Sequence, residues 1–108
     1  MPDKDDDLKR GTDSDILEKQ DEEIKEPEMW NVVLHNDNYT TKEFVVEILS
    51  NVFHLSAVEA TKVMLFVHRN GKGVVGTYTW DIAQSKITRV HALAKRREFP
   101  LMCSLDKA

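Results

Sequence analysis

The sequence predicts an α+β sandwich in which three helices pack on one face of a small three-stranded antiparallel sheet, in the order β-α-α-β-α-β. Three observations lead to this prediction. Two Ser/Thr-x-x-Glu signatures precede apolar patterns of helical period, which indicates helix starts. Short β-branched runs bounded by turn formers indicate strands. A chain of 108 residues is long enough for one small domain with a single core.

The first strand is predicted over residues 30–34, which are rich in β-prone side chains. It ends in a polar turn at residues 36–38, whose short side chains can bond the local backbone. Thr40 and Glu43 then match a capping box, so the first helix should run from about residue 41 to 53. Its inner face is predicted to consist of Val45, Ile48, Leu49 and Val52.

A second capping box, Ser56 with Glu59, starts the second helix, and Asn70-Gly71 ends it with residues that tolerate left-handed backbone. A strand is predicted to follow over residues 74–78. Residues spaced by three and four in this helix share one face, and that face carries Met64, Val67 and His68.

The third helix is predicted to begin near Trp80 or Asp81 and to stop before Pro100. Arg96 and Arg97 in its last turns suit the helix dipole. A final strand is predicted over residues 101–105. The inner face of the third helix is expected to comprise Ile82, Ile87, Val90 and Ala94.

Charge is distributed unevenly along the chain. Residues 1–28 hold 12 acidic and 5 basic residues, whereas residues 29–108 hold 7 acidic and 10 basic ones. The first segment has no aromatic residue and few large apolar ones, so burial cannot offset the entropy of ordering it. We therefore expect residues 1–28 to be an acidic disordered extension and residues 29–108 to be the folded domain.

The composition also limits where the protein works. A single cysteine, Cys103, excludes an internal disulfide. No apolar run approaches membrane-spanning length, and the N-terminus lacks a hydrophobic signal core. These features predict a cytoplasmic protein with no membrane partner.

Neither catalytic nor metal chemistry is indicated. Cys103 lies in an apolar strand pattern without an evident activating partner, so we expect a structural thiol and no enzyme. The four histidines lack metal-ligand spacing, and His54 and His91 are expected to be ordinary, partly buried side chains. The glycines at 71, 73 and 76 follow a helix and enter a strand, the reverse of a dinucleotide fingerprint. No metal and no cofactor are predicted.

The residues by themselves leave the ligand open. His68 fits either a satisfied core histidine or a ligand-binding one. The basic run of residues 95–97 raises the alternative of a small non-enzymatic nucleic-acid-binding or protein-binding module. No aromatic platform accompanies that run, however, and the acidic extension would repel phosphate.

Several separated segments, in this order, resemble the ClpS family. They are residues 35–44 (HNDNYTTKEF), 60–71 (ATKVMLFVHRNG), 71–79 (GKGVVGTYT), 83–86 (AQSK) and 100–107 (PLMCSLDK). The resemblance covers roughly residues 29–108. Members of this family are adaptors that recognise N-degrons and hand the proteins that carry them to a Clp AAA+ protease.

The resemblance implies a monomer that binds N-terminal Leu, Phe, Tyr or Trp and engages neither nucleic acid nor a cofactor. It assigns contacts with the free α-amino group to Asn36, Asp37 and His68. It assigns the wall and gate of the pocket to Asn38, Thr40, Thr41, Lys42, Val45, Met64, Val67 and Leu101.

The resemblance also implies a partner, the N-terminal domain of a ClpA-type or ClpC-type AAA+ unfoldase. Asp81 and Lys86 match the family's docking positions, and the N-terminal extension is expected to assist delivery. Three positions depart from the family's pattern. Asn38 replaces an acid, Thr41 replaces a proline, and Lys42 replaces a methionine that gates the pocket.

Overall fold

The computed structural model describes residues 26–108, and the predicted order of strands and helices is confirmed. The elements are β1 (Met29–His35), α1 (Lys42–Asn51), α2 (Ala57–Asn70), β2 (Lys72–Thr79), α3 (Trp80–Arg96) and β3 (Met102–Lys107). The predicted disorder of the N-terminal extension falls, up to residue 25, outside the described residues. Within residues 26–108, no helix combines the length and apolar character needed to cross a membrane.

The sheet has β1 at its centre, with β2 and β3 antiparallel to it on either side. The register of β1 and β2 shifts between Val32 and Val33, which face Gly76 and Val74 respectively. Val75 is the extra residue at this bulge, and its side chain is buried in the core. All three strands are contacted by α3, while α1 packs on α2 and α2 on β2. One face of the sheet is thus covered by helices, as predicted.

The start of α1 corrects one detail of the prediction. Thr41, and not Thr40, is the N-cap residue, because its hydroxyl accepts a hydrogen bond from the amide of Phe44 at 3.1 Å. Thr40 instead donates its hydroxyl to Asp37 within the preceding turn. The helix also ends earlier than predicted, at Asn51. The second cap is confirmed, since Ser56 Oγ accepts from the amide of Glu59 at 3.2 Å.

The core is built from the inner faces of the helices and the sheet. Phe44 is its largest fully buried side chain, and burial of such a ring contributes roughly 1.5–3 kcal/mol. On α3 the predicted inner residue Ile82 is 50% exposed, whereas Ala83 is completely buried. One residue is a rotation of about 100° around a helix, so Ala83 is the position in phase with the rest of the inner face. That face comprises Ala83, Ile87, Val90 and Ala94.

The two histidines that were expected to be partly buried, His54 and His91, differ from each other. His54 is exposed, which contradicts the expectation of partial burial, and its φ of 61° places it in left-handed backbone. His91 is partly buried as expected. Its Nε2 accepts a hydrogen bond from the backbone amide of Cys103 at 3.0 Å, so the imidazole of α3 satisfies a donor of β3.

Candidate functional site

A cavity of about 470 Å³ opens where the turn after β1 meets the C-terminal half of α2. Every residue predicted to form the binding site lies on its wall or rim. The full lining is Leu34, His35, Asn36, Asp37, Asn38, Tyr39, Thr40, Thr41, Lys42, Glu43, Val45, Met64, Val67, His68 and Leu101.

A backbone hydrogen bond joins the two halves of this cavity. The amide of Asn36 donates to the carbonyl of Gly71 at 2.8 Å, and the amide of Gly71 donates to the carbonyl of Val67 at 2.8 Å. Gly71 has a φ of 88°, the left-handed conformation that ends α2 and favours glycine. The end of α2 is thereby held beside the turn, which brings Asn36 and Asp37 to the same cavity as His68.

Asp37 organises the turn. Its Oδ1 accepts from the amides of Tyr39 and Thr40, each at 2.7 Å, and its Oδ2 accepts from the Thr40 hydroxyl at 2.7 Å. Partial burial alone would raise the pKa of this carboxyl, but the hydrogen bonds from Thr40 and Tyr39 outweigh it and leave the pKa below its ordinary value. Asp37 is therefore charged at neutral pH. Since Oδ2 receives only one of these bonds, it can accept another from a ligand.

The cavity floor is apolar and its rim is polar. Met64, Val67 and Leu101 are all buried, and Val45 is half-buried beside them. His68 is exposed, one helical turn beyond Met64. The arrangement can bury an apolar side chain while it offers hydrogen-bond acceptors to a polar group at the mouth.

The cavity is also lined by residues that the sequence did not single out for the site. Leu34 and His35 end β1, Glu43 lies in the first turn of α1, and Tyr39 is 77% exposed at the rim. The predicted gate residue, Lys42, is exposed as well. Their positions follow from the path of the turn, for which the only local signal was its polar composition.

Asp81 and Lys86, the predicted docking residues, lie apart from this cavity. They line a second depression of about 320 Å³ with Asn51, Val52, His54, Ile82, Ser85 and Arg89. Asp81 is exposed, but Lys86 is engaged within the protein. Its Nζ donates to the carbonyl of Val52 at 2.8 Å and lies 5.8 and 5.2 Å from the ring centroids of Phe53 and Tyr78.

The other groups considered for catalysis or nucleic-acid binding, Cys103 and the basic run, are buried or make contacts within the protein. Cys103 is buried, and burial raises the pKa of its thiol to about 12, so almost no thiolate exists at neutral pH. In the basic run at the end of α3, Arg97 lies 5.0 Å from the ring centroid of Phe44 and forms an ion pair with Glu47 at 3.6 Å. Neither feature supplies an open site comparable with the cavity.

Comparisons with known proteins agree with this geometry. Residues 25–104 match the family described as ATP-dependent Clp protease adaptor protein ClpS. The ClpS adapter of Syntrophus aciditrophicus is 48% identical over 94% of this chain and 94% of its own length. That of Acetivibrio thermocellus is 57% identical over 78% of this chain and 85% of its own length.

A solved structure supports the same relationship. ClpS2 of Agrobacterium tumefaciens, bound to L-phenylalaninamide, superimposes with a TM-score of 0.74 at 37% sequence identity. The match covers 77% of this chain and all of that one. With the fold, the cavity and the sequence in agreement, the chain belongs to the ClpS family, the adaptor proteins of the ATP-dependent Clp protease.

Proposed function

We propose that this chain binds the N-terminal residue of substrate proteins when that residue is Leu, Phe, Tyr or Trp, and delivers those proteins to a Clp AAA+ protease. The observation that carries the proposal is one cavity with an apolar floor and, at its rim, Asn36, Asp37 and His68. A relative in the same family binds L-phenylalaninamide, which has the free α-amino group and side chain of an N-terminal phenylalanine.

The chemistry of an N-terminus matches the two parts of the cavity. A peptide α-amino group has a pKa near 7.7–8.0, so it is mostly an ammonium at pH 7. The amide oxygen of Asn36, the free capacity of Asp37 Oδ2 and a neutral His68 nitrogen can accept its hydrogen bonds, directly or through water. Burial of a leucine or phenylalanine side chain against the apolar floor adds roughly 1.5–3 kcal/mol.

Fluorescence anisotropy with a labelled peptide that begins with leucine tests amine recognition. Acetylation of the peptide, Asn36→Ala and His68→Ala should each weaken binding by about tenfold or more, because the acceptors at the rim or the ammonium are then left unpaired in the complex. Suitable controls are Asn51→Ala and His54→Asn, which alter the same residue types at the second depression. Equal binding of acetylated and free peptides would contradict the proposal.

The adaptor acts by binding and transfer, without bond chemistry. The peptide recovered from the binding experiment should therefore be intact by mass spectrometry. We further propose that residues 29–108 form the binding domain, that the protein works as a cytoplasmic monomer, and that residues 1–28 act during transfer.

For transfer we propose docking on the N-terminal domain of a ClpA-type or ClpC-type unfoldase. The second depression supports this assignment, because it combines exposed apolar surface at Ile82 with charged groups at Asp81 and Arg89. Among residues 26–108 it shares none with the cavity, so one protein could engage a substrate and the unfoldase together.

A further inference from the structure

We propose that Tyr39 forms a second subsite, on which an apolar or aromatic side chain at the second residue of the bound polypeptide packs. This inference rests on the function proposed above, in which the first residue occupies the cavity. It assigns to the adaptor a preference that extends one residue beyond the N-terminus.

Tyr39 differs from the other aromatic residues of the chain in its packing contacts. Three pairs of rings pack on each other, with centroids 5.0 to 6.4 Å apart: Trp30 with Trp80, Phe44 with Phe99, and Phe53 with Tyr78. The ring of Phe66 covers Gly73, where an added Cβ would lie 2.9 Å from it. Tyr39 is the remaining aromatic residue, and within residues 26–108 it packs on no other ring.

The position of Tyr39 is well defined although its side chain is exposed. Its amide donates to Asp37 Oδ1 at 2.7 Å, and the amide of Thr40 donates to the same oxygen. The turn is anchored in addition by the bond from Asn36 to Gly71. A side chain that is 77% exposed therefore projects from backbone that is held in place at the rim of the cavity. Such an aromatic surface loses little entropy when a ligand covers it.

The geometry of an extended peptide places its second side chain near this rim. Successive Cα atoms are about 3.8 Å apart, and successive side chains point to opposite sides of the chain. When the first side chain enters the apolar floor, the second must point out of the cavity. The amine is held at Asp37, two residues from Tyr39 along the turn. The second side chain therefore points out of the cavity at a place within reach of the exposed Tyr39 ring.

Two peptides that begin Leu-Gly and Leu-Phe, each with a free amine and otherwise identical, test the inference by fluorescence anisotropy. Wild type should bind the Leu-Phe peptide about three- to tenfold more tightly, the range typical of one aromatic contact. Tyr39→Ala should bring the ratio of the two affinities close to one. Tyr39→Phe should preserve the ratio, because it keeps the ring.

Phe66→Ala is the matched control, since it removes another exposed aromatic ring that does not line the cavity. It should leave the ratio as in wild type. Three results would overturn the inference: no preference in wild type, an unchanged ratio in Tyr39→Ala, or an equal loss of affinity for both peptides in Tyr39→Ala. The last would make Tyr39 part of the first-residue pocket. Acetylated Leu-Gly peptide measured in parallel tests the underlying function separately, because it does not depend on the second residue.

Discussion

At the scale of single residues, Asp37 links the stability of the turn to its charge. Three hydrogen bonds from Tyr39 and Thr40 favour the carboxylate and lower its pKa from the ordinary 3.8. A carboxyl whose pKa is lower in the folded state stabilises the protein above its unfolded-state pKa, and this contribution is lost as pH falls through the folded-state pKa. The turn that supports the amine site should therefore weaken only in acid.

Asp37→Asn tests this linkage, because the amide keeps the shape of the side chain and removes the charge. At pH 7 the variant should be less stable than wild type by about 1 kcal/mol, the typical net contribution of a hydrogen bond. The difference should shrink at about pH 3, below the ordinary carboxyl pKa of 3.8, because the unfolded state then binds protons more readily than the folded carboxylate does. Urea denaturation at both pH values measures it. A difference that is just as large in acid would show that the charge of Asp37 does not stabilise the turn.

Lys42, at the predicted gate of the cavity, is a second residue whose substitution should change peptide binding in a predictable way. Its four-carbon stem can cover apolar surface while its ammonium reaches water, so it can still wall the cavity. A cation beside the bound α-amino group costs Coulomb energy, which screening at an exposed rim keeps to roughly 1 kcal/mol or less. Lys42→Met should therefore strengthen peptide binding by up to about fivefold and change the ranking of Leu, Phe, Tyr and Trp.

Anisotropy with four peptides that differ only in the first residue measures that ranking, and N-terminal Ile and Val peptides should remain weak ligands of both proteins. The control is Lys62→Met, an exposed lysine of α2 that does not line the cavity. Identical affinities of wild type and Lys42→Met for every peptide would remove Lys42 from the gate.

At the scale of elements, Lys86 connects α3 to the end of α1. Its ammonium donates a hydrogen bond to the carbonyl of Val52, the residue that follows the last residue of α1. A positive charge is favourable at the C-terminal end of a helix. The ammonium also faces two aromatic rings, those of Phe53 and Tyr78. Sequence resemblance gave Asp81 and Lys86 the same docking role, but their surroundings differ because Asp81 is exposed and Lys86 is partly buried.

Separate charge reversals should distinguish the two residues. Asp81→Lys should impair protease-coupled degradation of an N-degron substrate, with little change in stability or peptide affinity. Lys86→Glu should also lower the free energy of unfolding, by roughly 1–3 kcal/mol, because it removes the donor to Val52 and places a carboxylate beside the carbonyl. Degradation assays, urea denaturation and anisotropy provide the three readouts. Normal degradation with Asp81→Lys would contradict docking through Asp81.

At the scale of the whole molecule, binding and transfer are assigned to different parts of the chain. Among the residues that the structure describes, those that line the cavity lie between positions 34 and 101, whereas the excess of acidic residues lies within residues 1–28. Deletion of residues 1–24 should therefore leave peptide affinity within about twofold of wild type and slow degradation by the protease. Anisotropy and a degradation time course test the two parts separately. A large loss of peptide affinity on deletion would place the extension in the binding site.

The local sequence determined the order of the elements and the general positions of their ends. Ser56 as a cap and Gly71 as a helix end are local features, because their hydrogen bonds or backbone angles involve residues a few positions away. The same local logic failed at Thr40, where two adjacent threonines could both cap the helix. The turn decided between them, since Asp37 binds the hydroxyl of Thr40 and leaves Thr41 for the cap. It also failed at Ile82, because the face of α3 that carries Ile87, Val90 and Ala94 continues to Ala83, and Ile82 is rotated about 100° away from Ala83.

The candidate site could be predicted because its residues lie in motifs that resemble a known family, but its assembly depends on tertiary structure. Asn36 and Gly71 are far apart in sequence, and their backbone hydrogen bond brings the turn to the end of α2. No periodicity within either segment encodes that contact. Local sequence patterns likewise do not encode the hydrogen bond from Lys86 to Val52 or the exposure of Tyr39. The sequence by itself therefore determined which elements form and which side chains they carry, while packing between distant segments decided which of those side chains remain available to a ligand.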